Sequence, residues 1–169
     1  MQRGTSRGVS VEQGVGRVHQ VSVSRGGVPK LPVDRARVDV LGLDGDRHND
    51  TKHHGGPERA VCLYSLGLLE KLNAEGHPAY PGSMGENLTI SGIAWEQLTL
   101  GSRLRVGDAL VLQISAYTTP CQNIAGSFAD GRFVRLSHKR HPGEARLYAR
   151  VMETGEARTG DEVRLLPDA

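Results

Sequence analysis

The run Arg103-Leu-Arg-Val-Gly-Asp-Ala-Leu-Val-Leu-Gln-Ile-Ser-Ala-Tyr-Thr-Thr-Pro-Cys121 contains two apolar segments joined by a tight turn. Gly107-Asp108 between Arg103–Val106 and Ala109–Leu112 predicts a β-hairpin. The second arm continues to Ala116 and then breaks at Pro120. Proline fixes its own φ and has no N–H for a ladder, so the strand ends there. A strand ending in Pro-Cys places the Cys121 thiol at the rim of a sheet. Gln122 and Asn123 follow, so a soft nucleophile and two amides fall within three residues. As a thiolate, Cys121 can attack, carry sulfur or ligate a soft metal. The alternative is a small buried core residue, the common fate of a free cysteine.

Outward from this hairpin the pattern stays short-period. Gly16–Ser24 alternates Val18, Val21 and Val23 imperfectly, which predicts a strand with one irregularity. Gly26-Gly27 turns the chain. Leu31–Leu41 is extended, with Val38 and Val40 expected on one face. Pro57–Tyr64, Leu88–Ile90, Arg146–Met152 and Val163–Leu166 read as further strands. Ser65 caps a helix with an apolar stripe of Leu66, Leu69 and Leu72, Leu68 beside it, stopped by Gly76 and Pro78. Trp95, Leu98 and Leu100 are expected in the core near a bend. Phe128, Phe133, Val134 and Leu136 could line a second short helix. No repeat of fixed period is present. Many short strands, glycine turns and one clear helix predict a mainly β protein, a closed or partly closed β-barrel with a few short helices. It is expected to form one domain over residues 14–167, after a disordered or loosely attached tail at 1–13.

Composition excludes some functions. The 169 residues carry 21 basic and 19 acidic side chains, a net charge of only +2, so nothing demands nucleic acid. Aromatics at 4% leave little for base-stacking platforms. No apolar run reaches the length of a membrane span. Met1–Gln13 lacks the apolar segment of a signal peptide, and two thiols, Cys62 and Cys121, suit a reducing compartment, so a cytoplasmic location is expected.

A second constellation lies in the polar segment Gly42–Gly56. Within it, Lys52-His-His-Gly-Gly56 has adjacent glycines whose N–H groups can converge on an anion, with Arg47, Lys52 and Arg59 supplying positive charge. A phosphate or another oxyanion would suit this nest; a flexible polar loop is the alternative. His48, His53 and His54 with Cys121 or Cys62 offer zinc donors, but at no standard zinc spacing. Cys62, between Val61 and Leu63, reads as core. Glu86-Asn87 follows a glycine turn and offers an acid or base and an amide to a pocket, or simple turn chemistry. Asp44 and Asp46 read as turn residues.

In chain order these segments resemble the molybdenum cofactor sulfurase C-terminal (MOSC) domain family. Gly42-Leu-Asp-Gly-Asp46 is similar to its Gly-x-x-Gly-Asp loop, and His54-Gly-Gly56 with Ala60-Val61 and Tyr64 to its next motif. Gly85-Glu-Asn-Leu88 resembles its Gly-Glu-Asn-Leu signature. Gly107-Asp108, Pro120-Cys121, Arg150-Val151 and Gly160-Asp161 follow in the family's order. The resemblance implies a barrel like that of pyruvate kinase and a molybdenum-pterin cofactor (molybdopterin), with Cys121 as catalytic residue and molybdenum ligand. It implies cofactor contacts from Arg47, His48, His54, Gly55, Gly56, Arg59, Glu86, Asn87, Thr119, Gln122 and Asn123. It also implies reduction of small N-hydroxylated compounds with electrons from an external donor protein. A sulfur-carrier module passing a Cys121 persulfide without bound metal, and an inactive ligand-binding barrel, are the competing readings. Many family members have Pro-Arg where this chain has Tyr117-Thr118, so an arginine that could hold the cofactor's phosphate is missing there. Arg47 or Arg59 would have to substitute.

Overall fold

A computed structural model describes residues 14–47 and 55–168. The expected tail at 1–13 lies outside the described residues, as do 48–54. In chain order the elements are β1 (Val15–Val23), β2 (Leu31–Val33), β3 (Arg35–Asp39), β4 (Gly42–Leu43), β5 (Val61–Ser65), α1 (Leu66–Ala74) and β6 (Leu88–Ser91). They continue with β7 (Arg103–Val106), β8 (Leu110–Tyr117), β9 (Leu147–Glu153), β10 (Gly155–Arg158) and β11 (Glu162–Leu165).

Seven strands close on themselves in the order β1-β11-β7-β8-β9-β5-β6 and back to β1. The mainly β barrel expected from the sequence is therefore the fold. Closure removes sheet edges altogether. β2 hangs on the outer side of β1, and β10, β3 and β4 form a small second sheet. Only β5 and β6 of the ring pair in parallel; the other ring pairings are antiparallel. A parallel pair needs a crossover, and α1 is part of it.

The chain's irregularities have local causes. Val18 and Val21 are both buried although three residues apart. A register shift between Val18 and Gln20 against β6 absorbs the extra residue, as a β-bulge does. The β7–β8 hairpin forms as its turn predicts, with Val106 opposite Leu110. Leu110, Leu112 and Ile114 of β8 are at most 1% exposed. Burial of such a side chain contributes roughly 1.5–3 kcal/mol. The Ser65 hydroxyl accepts from Leu68 N at 3.2 Å and caps α1, which buries Leu69 and Leu72. The helix ends where His77 N donates to Leu72 O and Gly76 N to Asn73 O.

Several expectations fail locally. Val40 is 53% exposed, because the strand stops at Asp39 and its carboxylate accepts from Leu41 N in a turn; Ala36 and Val38 are the buried pair. Leu100, 57% exposed, sits on a turn whose Thr99 N donates to the Ser102 hydroxyl. Pro57–Arg59 is a 3₁₀ turn rather than strand. The segment 126–140 forms no α-helix; 3₁₀ turns cover Gln122–Ser127 and Phe133–Leu136, and Phe128 and Leu136 pack inward from them. The polar segment that begins at Gly42 is anchored at its start, where Gly42–Leu43 pairs with β3 and buries Leu43. Among the described residues no helix is long and apolar enough to cross a membrane.

Candidate functional site

β8 delivers the thiol. Past its last residue, Thr118 N still donates to Arg146 O at 2.9 Å, and the chain then leaves the barrel through Pro120. Cys121 is half-buried on the wall of a pocket of about 70 Å³. Lys30, Arg47, Arg59 and Arg146 line the same pocket, with Asn87, Asn123, Tyr148 and a second thiol, Cys62.

One wall is built around Asp46. Its Oδ1 accepts from Lys30 Nζ at 2.6 Å and from Ser24 N at 2.9 Å. Its Oδ2 accepts from Asn87 Nδ2 at 3.0 Å. The sequence reading as a mere turn residue is corrected: Asp46 is a buried carboxylate that fixes the pocket's lysine, with the two side chains only 7% and 2% exposed. Its one available signal was the Gly-x-x-Gly-Asp loop. Lys30 is seated by a close approach of two backbones, its N donating to Gly82 O at 2.9 Å. Gly82 has φ 89°, and a Cβ there would come within 2.2 Å of Lys30 O, so only glycine fits.

Asn87 braces three segments. Its Oδ1 accepts from Cys62 N at 3.0 Å, and its Nδ2 also donates to Ser22 O at 3.2 Å. With its backbone N donating to Cys62 O at 2.8 Å, it ties β1, β5 and the Asp46 loop together beneath the pocket. Its side chain faces the pocket but is committed to the protein.

Arg59 comes from the 3₁₀ turn. Gly56 precedes that turn at φ 83°, ψ 169°, and Arg59 N donates to Gly56 O at 3.0 Å. Glu58 pins the turn to the barrel: its carboxylate accepts from Arg150 of β9 at 2.6 Å, and its carbonyl accepts from the Ser115 hydroxyl of β8. The Arg59 guanidinium lies 5.9 Å from the centre of the Tyr148 ring, within cation–π range.

The remaining expected residues divide. Arg47, Arg59, Asn87, Asn123 and Cys121 are brought together; Thr119, Gln122, Gly55 and Gly56 do not line the pocket. Glu86 is fully buried off the pocket wall and accepts from Met84 N and the Thr89 hydroxyl, both at 3.3 Å. Burial pushes its carboxyl up to about 7. His48 and His54 lie outside the described residues, as does His53 of the zinc reading. Among the described residues no three His, Cys, Asp or Glu side chains group as a metal site. Cys62 is buried as expected, and burial pushes its thiol up to about 11. That it faces the Cys121 pocket was not legible, because its neighbours in sequence are all apolar.

Sequence reasoning missed Arg146. It is 5% exposed, starts the β9 segment and points into the pocket. A charged residue at the head of the apolar run Leu147-Tyr-Ala149 was its signal. A hollow of about 310 Å³ adjoins the pocket and shares Val28 and Asn123 with it.

The sequence model of the MOSC domain family matches residues 50–164. Bacillus subtilis YflK, an uncharacterized protein, is 31% identical over 133 residues, covering 73% of this chain and 55% of that protein. A protein named reductase from Gibberella moniliformis is 31% identical over 131 residues, 75% of this chain but 23% of its own length. Escherichia coli YiiM is 31% identical over 102 residues, 57% of this chain and 45% of that one. The chain thus spans about half or less of the curated relatives it matches. In structure, YiiM from Geobacillus stearothermophilus superposes with a TM-score of 0.72 at 21% identity, covering 90% of this chain and 75% of that one. The Escherichia coli YiiM structure gives 0.67 at 23% identity, with coverage of 90% and 71%. The barrel, the order of its motifs and the family match agree, and this chain belongs to the MOSC domain family.

Proposed function

We propose that the chain binds a molybdenum-pterin cofactor at the Cys121 pocket and reduces N-hydroxylated small molecules with electrons from a partner protein. The observation that carries this reading is the convergence of one half-exposed thiol with four cationic side chains on a single pocket. That donor set fits the group: one soft thiolate suits a metal whose other soft donors come from an anionic pterin. The family is linked to this cofactor, and one relative is named a reductase. When bound, the cofactor would supply a redox-active metal able to take oxygen from an N–OH group. Cleavage of that bond consumes two electrons and two protons and releases an amine and water.

The chain's own residues bind and orient. Cys121 supplies the protein's metal ligand. Arg47, Arg59 and Arg146 present positive charge to the anionic cofactor, and Lys30 is held at the same wall by Asp46. Asn123 stands where the pocket meets the larger hollow and can hydrogen-bond a substrate approaching from there. Protein made in a cofactor-competent host should carry molybdenum and pterin, and Cys121→Ser should lose the molybdenum. Purified protein with neither component would overturn the reading.

The second reading, sulfur carriage by a Cys121 persulfide, draws on the same half-exposed thiol. A mass gain of one sulfur atom on Cys121, in protein free of molybdenum, would favour it.

A further inference from the structure

Arg146 is a buried cation with no ion pair among the described residues; the carboxyl that feels its charge is Glu86, which burial pushes up to about 7. Arg146 is 5% exposed, and the ion pairs of the described residues assign Lys30 to Asp46, Arg135 to Glu75 and Glu144, and Arg150 to Glu58, with none to Arg146. Its Nη1 donates to Met84 O at 2.8 Å and its Nη2 reaches Thr119 O at a long 3.5 Å. Its Nε is buried with no partner. An unpaired, incompletely bonded charge is costly to bury, so a residue kept in this state usually meets an anion. The guanidinium lines the pocket, which at about 70 Å³ is far below the volume of a drug-sized ligand site. The pocket has room for a small, highly charged group such as a phosphate, and the adjoining hollow of about 310 Å³ has room for the rest of a larger molecule.

Its place in the ladder matters as much. Thr118 N donates to Arg146 O at 2.9 Å, so the two residues face each other across β8 and β9. Thr118 is 2% exposed, and its hydroxyl is buried beside the Cys62 thiol.

We infer that Arg146 is the anchor of a tetrahedral oxyanion site, taking the phosphate of a bound cofactor or free phosphate. The inference rests on the cofactor reading only for the identity of the natural ligand. Arg47 and Arg59 complete the positive wall, and the Arg146 fork supplies directed N–H donors.

Inorganic phosphate is the probe. Calorimetry on the full chain should show saturable binding, and added phosphate should raise the melting temperature. Arg146→Met should weaken phosphate binding on the order of tenfold or more. It should also leave the phosphate-free melting temperature unchanged or higher, because an unpaired charge has been removed, whereas loss of a structural arginine would lower it. Arg146→Lys, which keeps charge but not the fork, should bind at an intermediate level and covers the case of an unfolded methionine variant. Pterin content of each variant identifies the natural source of the phosphate. Wild type that ignores phosphate, or Arg146 variants that bind it as well as wild type, would overturn the anion site. Phosphate binding that follows Arg146, in protein from a cofactor-competent host that carries neither molybdenum nor pterin, would leave the site standing and remove the cofactor reading.

Discussion

Asn87 Nδ2 donates to Asp46 Oδ2 at 3.0 Å, joining the Gly-Glu-Asn-Leu segment to the Gly-x-x-Gly-Asp loop forty-one residues earlier. The other oxygen of Asp46 holds Lys30. Two motifs that are separate in sequence therefore form one buried support for the pocket.

Asp46→Ala leaves Lys30 buried without its counter-charge, frees Ser24 N, and leaves Asn87 Nδ2 with only its bond to Ser22 O. Breaking a buried pair from one side costs about 3–5 kcal/mol. A denaturant midpoint lowered to that extent, with part of the loss recovered by adding Lys30→Met, is the expected result. Equal stability of wild type and Asp46→Ala would show that the pair supports nothing.

The two thiols should react in order. Cys121 is half-exposed, while Cys62 is 6% exposed with its thiol pushed up to about 11 by burial. At pH 8 its thiolate fraction is on the order of one in a thousand. Iodoacetamide followed by peptide mass mapping should modify Cys121 in the folded protein and Cys62 only after unfolding. Early labelling of Cys62 would mean that its side of the pocket opens to solvent.

Glu86 gives the fold a pH dependence with a definite sign. Burial raises its folded value to about 7, from an ordinary 4.5, so the folded chain binds the proton more tightly than the unfolded chain. Its contribution is fully present below pH 4.5 and is lost as pH rises through about 7. The neighbouring Arg146 favours the charged form and so limits the shift. Glu86→Gln should be more stable than wild type at pH 8, by about 3 kcal/mol at most, with no gain at pH 4. Paired melting curves at the two pH values measure this, and a gain that did not depend on pH would exclude titration as its source.

The barrel was legible because its signals are local. The Gly107-Asp108 turn, the Ser65 cap and the alternation around Val18 and Val21 each depend on neighbours in sequence. Cys121 was legible for the same reason, as the residue following a proline that ends a strand. Asp46 and Arg146 were not, since their roles arise from partners far along the chain: Lys30 and Asn87 for the first, Thr118 for the second. A glycine-turn motif and a charge at the head of an apolar run mark these two positions, but neither signal says which distant partner the side chain will meet. Of the small sheet, the β3 segment read as extended, whereas β4, two residues long, and β10, with charged residues between its buried ones, carry too little pattern to be read.

Gly56 tests whether backbone geometry aims Arg59. At φ 83° and ψ 169° the residue occupies a region reserved almost wholly for glycine, where another side chain costs roughly 1–3 kcal/mol. A Cβ built there meets nothing within 4 Å, so the penalty would come from the backbone and not from a clash. Relief of that strain would rotate the Pro57–Arg59 turn away from the Arg59 N to Gly56 O bond and carry the guanidinium off the Tyr148 ring. Gly56→Val should therefore lower the melting temperature and weaken phosphate or cofactor binding together, without touching Cys121. Arg59→Ala should reproduce the loss of binding and spare most of the stability. Should Gly56→Val bind phosphate normally while Arg59→Ala does not, the turn would be shown to hold its shape without glycine, and the aim of Arg59 would have to come from Glu58 and its clamp on Arg150.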